Sequence, residues 1–277
     1  VLIAVGMRFD DRVTGRLDKY AKQAKIIHLD IDPAEIDKNV QTTVAVWGDC
    51  KDTLPMLTSL IAKNDHSAWY NEFELKKEAE FDAVIRKELN PEAGGLTMGE
   101  VIHLLNEITQ GEAVIVTDVG QHQMVASRYS KQNHPRSNIT SGGLGTMGFA
   151  LPAAIGAKFG APDRQVIAIM GDGGAQMNIQ ELGTIMRFKP NVKFIILNNC
   201  FLGMVRQWQE LFHEKRYSFT DIQSPDFVKV AEAYHIAGKK IDRREDLKNG
   251  LKTMLDHPTS YLLEVMVLHE DNVFPMV

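Results

Sequence analysis

Val166-Ile167-Ala168-Ile169-Met170-Gly171-Asp172-Gly173-Gly174 and Phe194-Ile195-Ile196-Leu197-Asn198-Asn199 decide the fold of this chain. Each is a short apolar run that stops at an oxygen-bearing side chain, and Asp172 and Asn199 stand 27 positions apart. Such runs read as strands buried on both faces. Residues 176–187, between them, read as helix. Strand, helix, strand is a right-handed crossover, so the two strands run parallel in one sheet. Asp172 and Asn199 are therefore expected side by side at the carboxyl edge, where open parallel sheets take ligands. Hard oxygen donors suit Mg²⁺, which accepts few protein ligands and completes its shell with water and phosphate. Gly173 and Gly174 admit close approach of the backbone, and the helix start behind them offers N–H groups to an anion. These residues alone predict a Mg²⁺–diphosphate site.

Outward from that unit, the chain alternates strands and helices. Residues 113–118 read as a buried strand ending at Gly120-Gln121-His122, 138–140 as a short strand and 261–267 as the last one. Residues 98–108, 149–159, 226–234 and 245–255 read as helices. The pattern predicts an α/β, doubly wound parallel sheet over 94–277. Upstream, residues 1–61 carry apolar runs at 1–5, 24–31 and 44–46, too little for a closed core, and read as a partial α/β domain. Residues 62–93 interleave Glu and Lys and read as a charged helical linker. Asn90-Pro91 and Gly94-Gly95 punctuate its end.

The formal charge of −5 over 277 residues offers no basic patch, so nucleic acid is not an expected partner. Two cysteines, Cys50 and Cys200, make no disulfide framework and fit a reducing compartment. No apolar run approaches the ~20 residues that span a bilayer. Val1-Leu2-Ile3-Ala4-Val5 gives way at once to Arg8-Phe9-Asp10-Asp11-Arg12, unlike a signal peptide. A cytoplasmic protein with no membrane association is expected. The missing initiator Met suggests part of a longer one.

Other constellations carry less. Gly143-Leu144-Gly145-Thr146-Met147-Gly148 fits Gly-x-Gly-x-x-Gly, but a dinucleotide reading also needs an acidic residue at the end of the next strand, and Asp172 is better used by a metal. These glycines read instead as letting the backbone approach a flat ring, with Met147 either a core filler or a wedge beneath it. His122 follows a strand end and is either a capped loop histidine or a hydrogen-bond donor to phosphate. Met204 and Trp208, four apart, share a helix face; packing is the ordinary use of such a pair, yet Gly203-Met204-Val205-Arg206-Gln207-Trp208 follows directly on Asn199. Cys200 has no neighbouring His to make it a nucleophile. No nucleophile elbow and no paired Cys or His at zinc spacing occur.

Gly-Asp-Gly followed after this interval by Asn-Asn resembles the thiamine diphosphate motif. Four segments together resemble the catalytic subunits of the acetolactate synthase (acetohydroxyacid synthase) family: Gly6-Met7-Arg8-Phe9-Asp10-Asp11-Arg12-Val13-Thr14-Gly15, Gly120-Gln121-His122, the 141–148 turn with Leu151-Pro152-Ala153-Ala154-Ile155-Gly156, and the Gly203 to Trp208 segment. The likeness runs the whole chain. It implies a thiamine diphosphate-binding fold over 94–277, preceded by part of an FAD-binding-type domain. Asp172 and Asn199 would ligate Mg²⁺ with the backbone carbonyl of Phe201. Gly120, Gln121, His122, Gly171, Gly173 and Gly174 would line the diphosphate, with Met204 beside the cofactor. Gly145 and Met147 would contact the aminopyrimidine, Trp208 would shape the second-substrate site, and Arg12 would face that substrate's carboxylate. Gly6, Arg8, Asp10, Asp11, Asp30, Ile31, Asp49 and Cys50 would touch a structural FAD.

The implied reaction is carboligation of pyruvate with a second 2-keto acid, releasing CO₂ to give 2-acetolactate or 2-aceto-2-hydroxybutyrate in branched-chain amino-acid biosynthesis. A homodimer or tetramer and a regulatory small subunit are implied partners. Another thiamine-dependent 2-keto acid decarboxylase or oxidase, and a silent cofactor-binding fragment, stand as alternatives. Three departures from the family matter. Phe201 replaces a usual polar side chain, and the family's catalytic Glu belongs to an amino-terminal domain expected to be missing here. The chain also stops at Pro275-Met276-Val277, short of the family's closing tail. Weak cofactor binding and little turnover by this chain alone are the expectation.

Overall fold

The computed structural model describes residues 1–91 and 94–274. Glu92 and Ala93, at the end of the expected linker, and the closing Pro275-Met276-Val277 lie outside the described residues. Two compact units divide at Phe73/Glu74, within the charged helical segment.

The first unit is built on a parallel sheet of β1 (Leu2–Val5), β2 (Ile26–Asp30) and β3 (Val44–Trp47), in that order. Its core is small: Ala4, Phe9 and Ile26 are buried, whereas β3 is mostly exposed. The helix Cys50–Leu60 follows β3 because Asp49 caps it, Oδ1 accepting from the Lys51 amide at 2.9 Å.

In the second unit β4 (Val114–Thr117), β5 (Asn138–Ile139), β6 (Val166–Gly171), β7 (Val192–Asn198), β8 (Ala237–Ile241) and β9 (Tyr261–Met266) form one parallel sheet in the order β5-β4-β6-β7-β9-β8. Every residue of β7 is buried, as is all of β6 but Gly171. Successive side chains go to opposite faces. Ile167, Ile169, Ile195 and Leu197 pack with the helices Met98–Thr109 and Arg244–Asp256. Val166, Ala168, Met170, Phe194 and Ile196 pack with the helices Ala150–Gly160 and Phe227–Ala233. Helices on both faces make the sheet doubly wound, and each large buried side chain contributes roughly 1.5–3 kcal/mol. The helix Met98–Thr109 starts where a capping box fixes it: Thr97 Oγ1 accepts from the Glu100 amide (3.1 Å) and the Thr97 amide donates to Glu100 Oε2 (3.2 Å).

Three elements differ from the sequence reading. The expected helix over 176–187 is instead Asp172–Met177, a 3₁₀ turn Ile179–Glu181 and Leu182–Phe188. Asn178 breaks it, because its Nδ2 donates to the carbonyl of Gly148 at 2.7 Å. The helix Gln121–Tyr129 begins at once after Gly120, where a mere turn was expected. The edge strand β8 escaped notice because Gly238, Lys239 and Lys240 hide its period.

Candidate functional site

Strands β6 and β7 are adjacent and parallel, with Gly171 paired to Leu197. Asp172 opens the helix after β6 and Asn199 follows the last residue of β7, so the register delivers both to the same edge of the sheet. Both are buried, and both line one cavity. Asp172 Oδ2 accepts from Ser224 Oγ at 2.9 Å. Burial pushes its carboxyl up to about 6, against the hydrogen bond from Ser224 and the neighbouring amides of Gly173 and Cys200. Asn199 Oδ1 accepts from the Phe201 amide (3.1 Å), and its Nδ2 donates to Gln121 Oε1 (3.4 Å). Cys200, between Asn199 and Phe201, takes a positive φ of 60° and turns the chain, and Phe201 reaches the cavity wall.

Gln121 is the hub of a buried amide chain. Its Nε2 donates to Gln207 Oε1 (2.8 Å) and to the carbonyl of Asp271 (3.3 Å), while Gln207 Nε2 donates to the carbonyl of Val273 (2.8 Å). His122 lies beside Gly120 and Gly171, where a Cβ would come within 2.9 and 3.1 Å of its ring. Its Nε2 has no hydrogen-bond partner among the described residues, and burial pushes its pKa down to about 4, so the ring is neutral. Gly173 is equally confined: a Cβ there would meet Leu202 Cδ2 at 2.8 Å.

Of the residues expected around the cofactor and its metal, Gly120, Gln121, His122, Gly171, Asp172, Gly173, Gly174, Asn199, Phe201, Met147 and Met204 line this one cavity. Gly145 does not; it ends the 3₁₀ turn Gly142–Leu144 with φ 58° and open space beside its Cα. Trp208, one turn beyond Met204, lies outside the lining, packs against Phe212 with ring centres 4.8 Å apart and is 39 % exposed.

The remaining expected residues belong to the first unit. Gly6, with φ 60°, follows β1, Asp30 ends β2 with Ile31 just beyond it, and Asp49 and Cys50 follow β3. These parallel strands thus bring Gly6, Asp30, Ile31, Asp49 and Cys50 to one carboxyl edge. Arg8 pairs with Asp10 at 2.6 Å, Asp10 precedes the short helix Asp11–Thr14, and Arg12 is exposed on that helix.

Comparison with known proteins bears on both units. The C-terminal TPP binding domain of thiamine pyrophosphate enzymes matches residues 118–265, and their central domain matches residues 1–57. This chain belongs to the thiamine pyrophosphate enzymes. Its six-stranded, doubly wound unit is the diphosphate-binding fold of that family. Among relatives, it is 43% identical over 293 residues to acetolactate synthase 2, chloroplastic, of Nicotiana tabacum, covering 100% of this chain and 43% of the relative. It is 43% identical over 283 residues to the acetolactate synthase large subunit of Parasynechococcus marenigrum (strain WH8102), covering 45% of that protein. Identity is also 43% over 282 residues to the acetolactate synthase isozyme 2 large subunit of Escherichia coli (strain K12), covering 49% of it. The chain spans under half the length of these curated relatives.

Three buried or bonded residues behind this cavity went unread in the sequence. Ser224 reaches Asp172 across 52 positions and Gln207 reaches Gln121 across 86, which no local pattern reveals. Asp118 is the third, fully buried just beyond β4. An acid at the carboxyl end of a parallel strand was the available signal.

Proposed function

We propose that this chain is the cofactor-binding portion of an acetolactate synthase, joining pyruvate to a second 2-keto acid with loss of CO₂. The observation that carries the reading is the buried pair Asp172 and Asn199 lining one cavity with Gly173 and Gly174, in a chain 43% identical to acetolactate synthases. The residues present suit thiamine diphosphate with Mg²⁺. No Lys or Arg lines the cavity among the described residues, and His122 is neutral. Charge balance for a diphosphate therefore falls to a divalent cation, and a carboxylate, an amide oxygen and a carbonyl are its ordinary ligands. Asp172, Asn199 and the Phe201 carbonyl would hold it.

When bound, thiamine diphosphate supplies the thiazolium carbon at which 2-keto acids lose CO₂. The chain's own part is placement. His122 Nε2, unpartnered at the cavity wall, would bond a phosphate oxygen, and Gly173 and Gly174 would let that group lie against the backbone. Met147, whose Cε would stand 3.7 Å from a Cβ at Gly173, would wedge the cofactor bent, with Gly145 near the ring and Met204 beside the cofactor. Trp208 would flank the second substrate; for Arg12 on its carboxylate, the support is the likeness alone. An FAD held by Gly6, Arg8, Asp10, Asp11, Asp30, Ile31, Asp49 and Cys50 rests on the likeness and on five of them sharing a strand-end edge.

"Large subunit" in two relatives' names supports a regulatory small subunit as partner, and we propose a homodimer or tetramer with it. No helix among the described residues is long and apolar enough to cross a membrane. Free Cys50 and Cys200 support a reducing, cytoplasmic setting.

Calorimetric titration of the chain with thiamine diphosphate and Mg²⁺ tests the site. Asp172→Ala is expected to weaken binding by more than the roughly 10–100-fold typical of residues one step removed from a metal. Unchanged affinity in the variant would remove the metal assignment. Product analysis with pyruvate tests the reaction: acetolactate supports it, whereas free aldehyde or acetyl phosphate would assign another thiamine-dependent chemistry.

A further inference from the structure

Asp118 stands between the two halves of the cofactor cradle, and the halves come from separate segments of the chain. One is the turn ending at Gly148, which leads into the helix Ala150–Gly160. The other is Gly173 and Gly174 in the helix Asp172–Met177. Asp118 is fully buried. Its Oδ1 accepts from the Phe149 amide at 3.1 Å. Its Oδ2 has no hydrogen-bond partner among the described residues and lies against Gly174, where a Cβ would come within 1.9 Å of it. With any other residue at 174, either this carboxylate or the helix carrying residue 174 would have to shift. A charged oxygen is seldom buried against a bare Cα unless its other contacts fix it there, since leaving it unmatched is costly. Burial pushes the Asp118 carboxyl up, opposed by the amide of its neighbour Val119 and, from the turn side, by those of Phe149, Gly148 and Ala150.

We propose that Asp118 is a positioning residue that sets the spacing between the pyrimidine-side turn and the diphosphate-side glycines. One carboxylate oxygen pins Phe149, and the other is the spacer on which Gly174 rests. The inference rests on the diphosphate reading of this cavity and adds to it a residue outside the cavity lining. A second tie, from Asn178 Nδ2 to the Gly148 carbonyl, joins the same two halves, so losing Asp118 loosens the cradle without dissolving it.

The test uses two ligands of different reach. Thiamine diphosphate spans both halves; inorganic pyrophosphate occupies the glycine half alone. With Mg²⁺ present, Asp118→Ala is expected to weaken thiamine diphosphate by roughly 10–100-fold, the scale of residues that orient a site from behind, and to leave pyrophosphate as in the native chain. Asp118→Asn keeps an acceptor for Phe149 and is expected to fall between. Equal losses for both ligands, or none for either, would overturn the proposal. The contact itself is read without ligand, by melting temperature: Gly174→Ala is expected to lower it sharply in the native background and far less beside Asp118→Ala. Equal effects in both backgrounds would overturn the spacer role. Failure of the native chain to bind either ligand would instead fault the diphosphate reading, and the melting comparison would still decide on Asp118.

Discussion

The two sheets of this chain are both parallel, and both place acidic side chains where strands end, yet they treat those carboxylates differently. In the first unit Asp30 Oδ1 accepts from the Asp32 amide and Asp49 Oδ1 from the Lys51 amide, each at 2.9 Å and each two residues away. Such local bonds build turns and caps. Asp30 is buried as well, but in the second unit Asp118 and Asp172 are pushed up by burial and bonded to Phe149 and Ser224, 31 and 52 positions distant. Holding a carboxylate away from water without a countercharge opposes folding. The rest of the unit sustains it, and a cation beside Asp172 would relieve it. Acids at strand ends are therefore no guide alone. A buried acid that lines a cavity, as Asp172 does, is a better one.

The widest gap between the units should appear in stability. Phe194 in β7 is fully buried, and Phe194→Ala is expected to cost about 3–5 kcal/mol in denaturant unfolding. Val44 in β3 is 48 % exposed, and Val44→Ala should stay within about 0.5 kcal/mol. Similar costs would erase the contrast in core quality. Next comes pH. Because Asp172 carries its proton below about 6 in the empty site, protons compete with the metal there. Metal-assisted binding of thiamine diphosphate should hold steady above that value and fall about tenfold per pH unit beneath it, as expected when one proton is displaced by a metal. In the unliganded chain the sign reverses: this raised carboxyl favours the fold most below its unfolded value, and the gain is lost as pH rises through about 6. A binding curve that stays flat on acidification would show that Asp172 is not the competing group. The smallest effect belongs to the first unit's edge. Asp49→Ala should lower thermal stability by about 1 kcal/mol, the worth of a helix cap. A much larger loss would mean that Asp49 does more than cap.

Much of this was legible in the chain. The apolar runs of β6 and β7 announced buried parallel strands, and their shared edge brought Asp172 and Asn199 together as the crossover argument required. Gly120, Gln121 and His122 fell on the wall of the same cavity for the same reason. What stayed hidden was non-local or masked by composition. Asn178 looks like a helix residue until Gly148, 30 positions earlier, takes its amide. The lysines of β8 disguise an edge strand, and Asp118 reads as a strand terminus until Gly174 is folded against it.

The interruption at Asn178 also shapes how a ligand would leave. Six helical residues project a weaker axial field than an unbroken run through Phe188 would, so peptide groups neutralise less of an incoming pyrophosphate tail. In exchange the Asn178 amide ties the end of this short helix to the Gly148 carbonyl on the facing segment. On the proposed reading, a chelator that strips the ion should therefore release the pyrophosphate tail more readily than any change in the helix would.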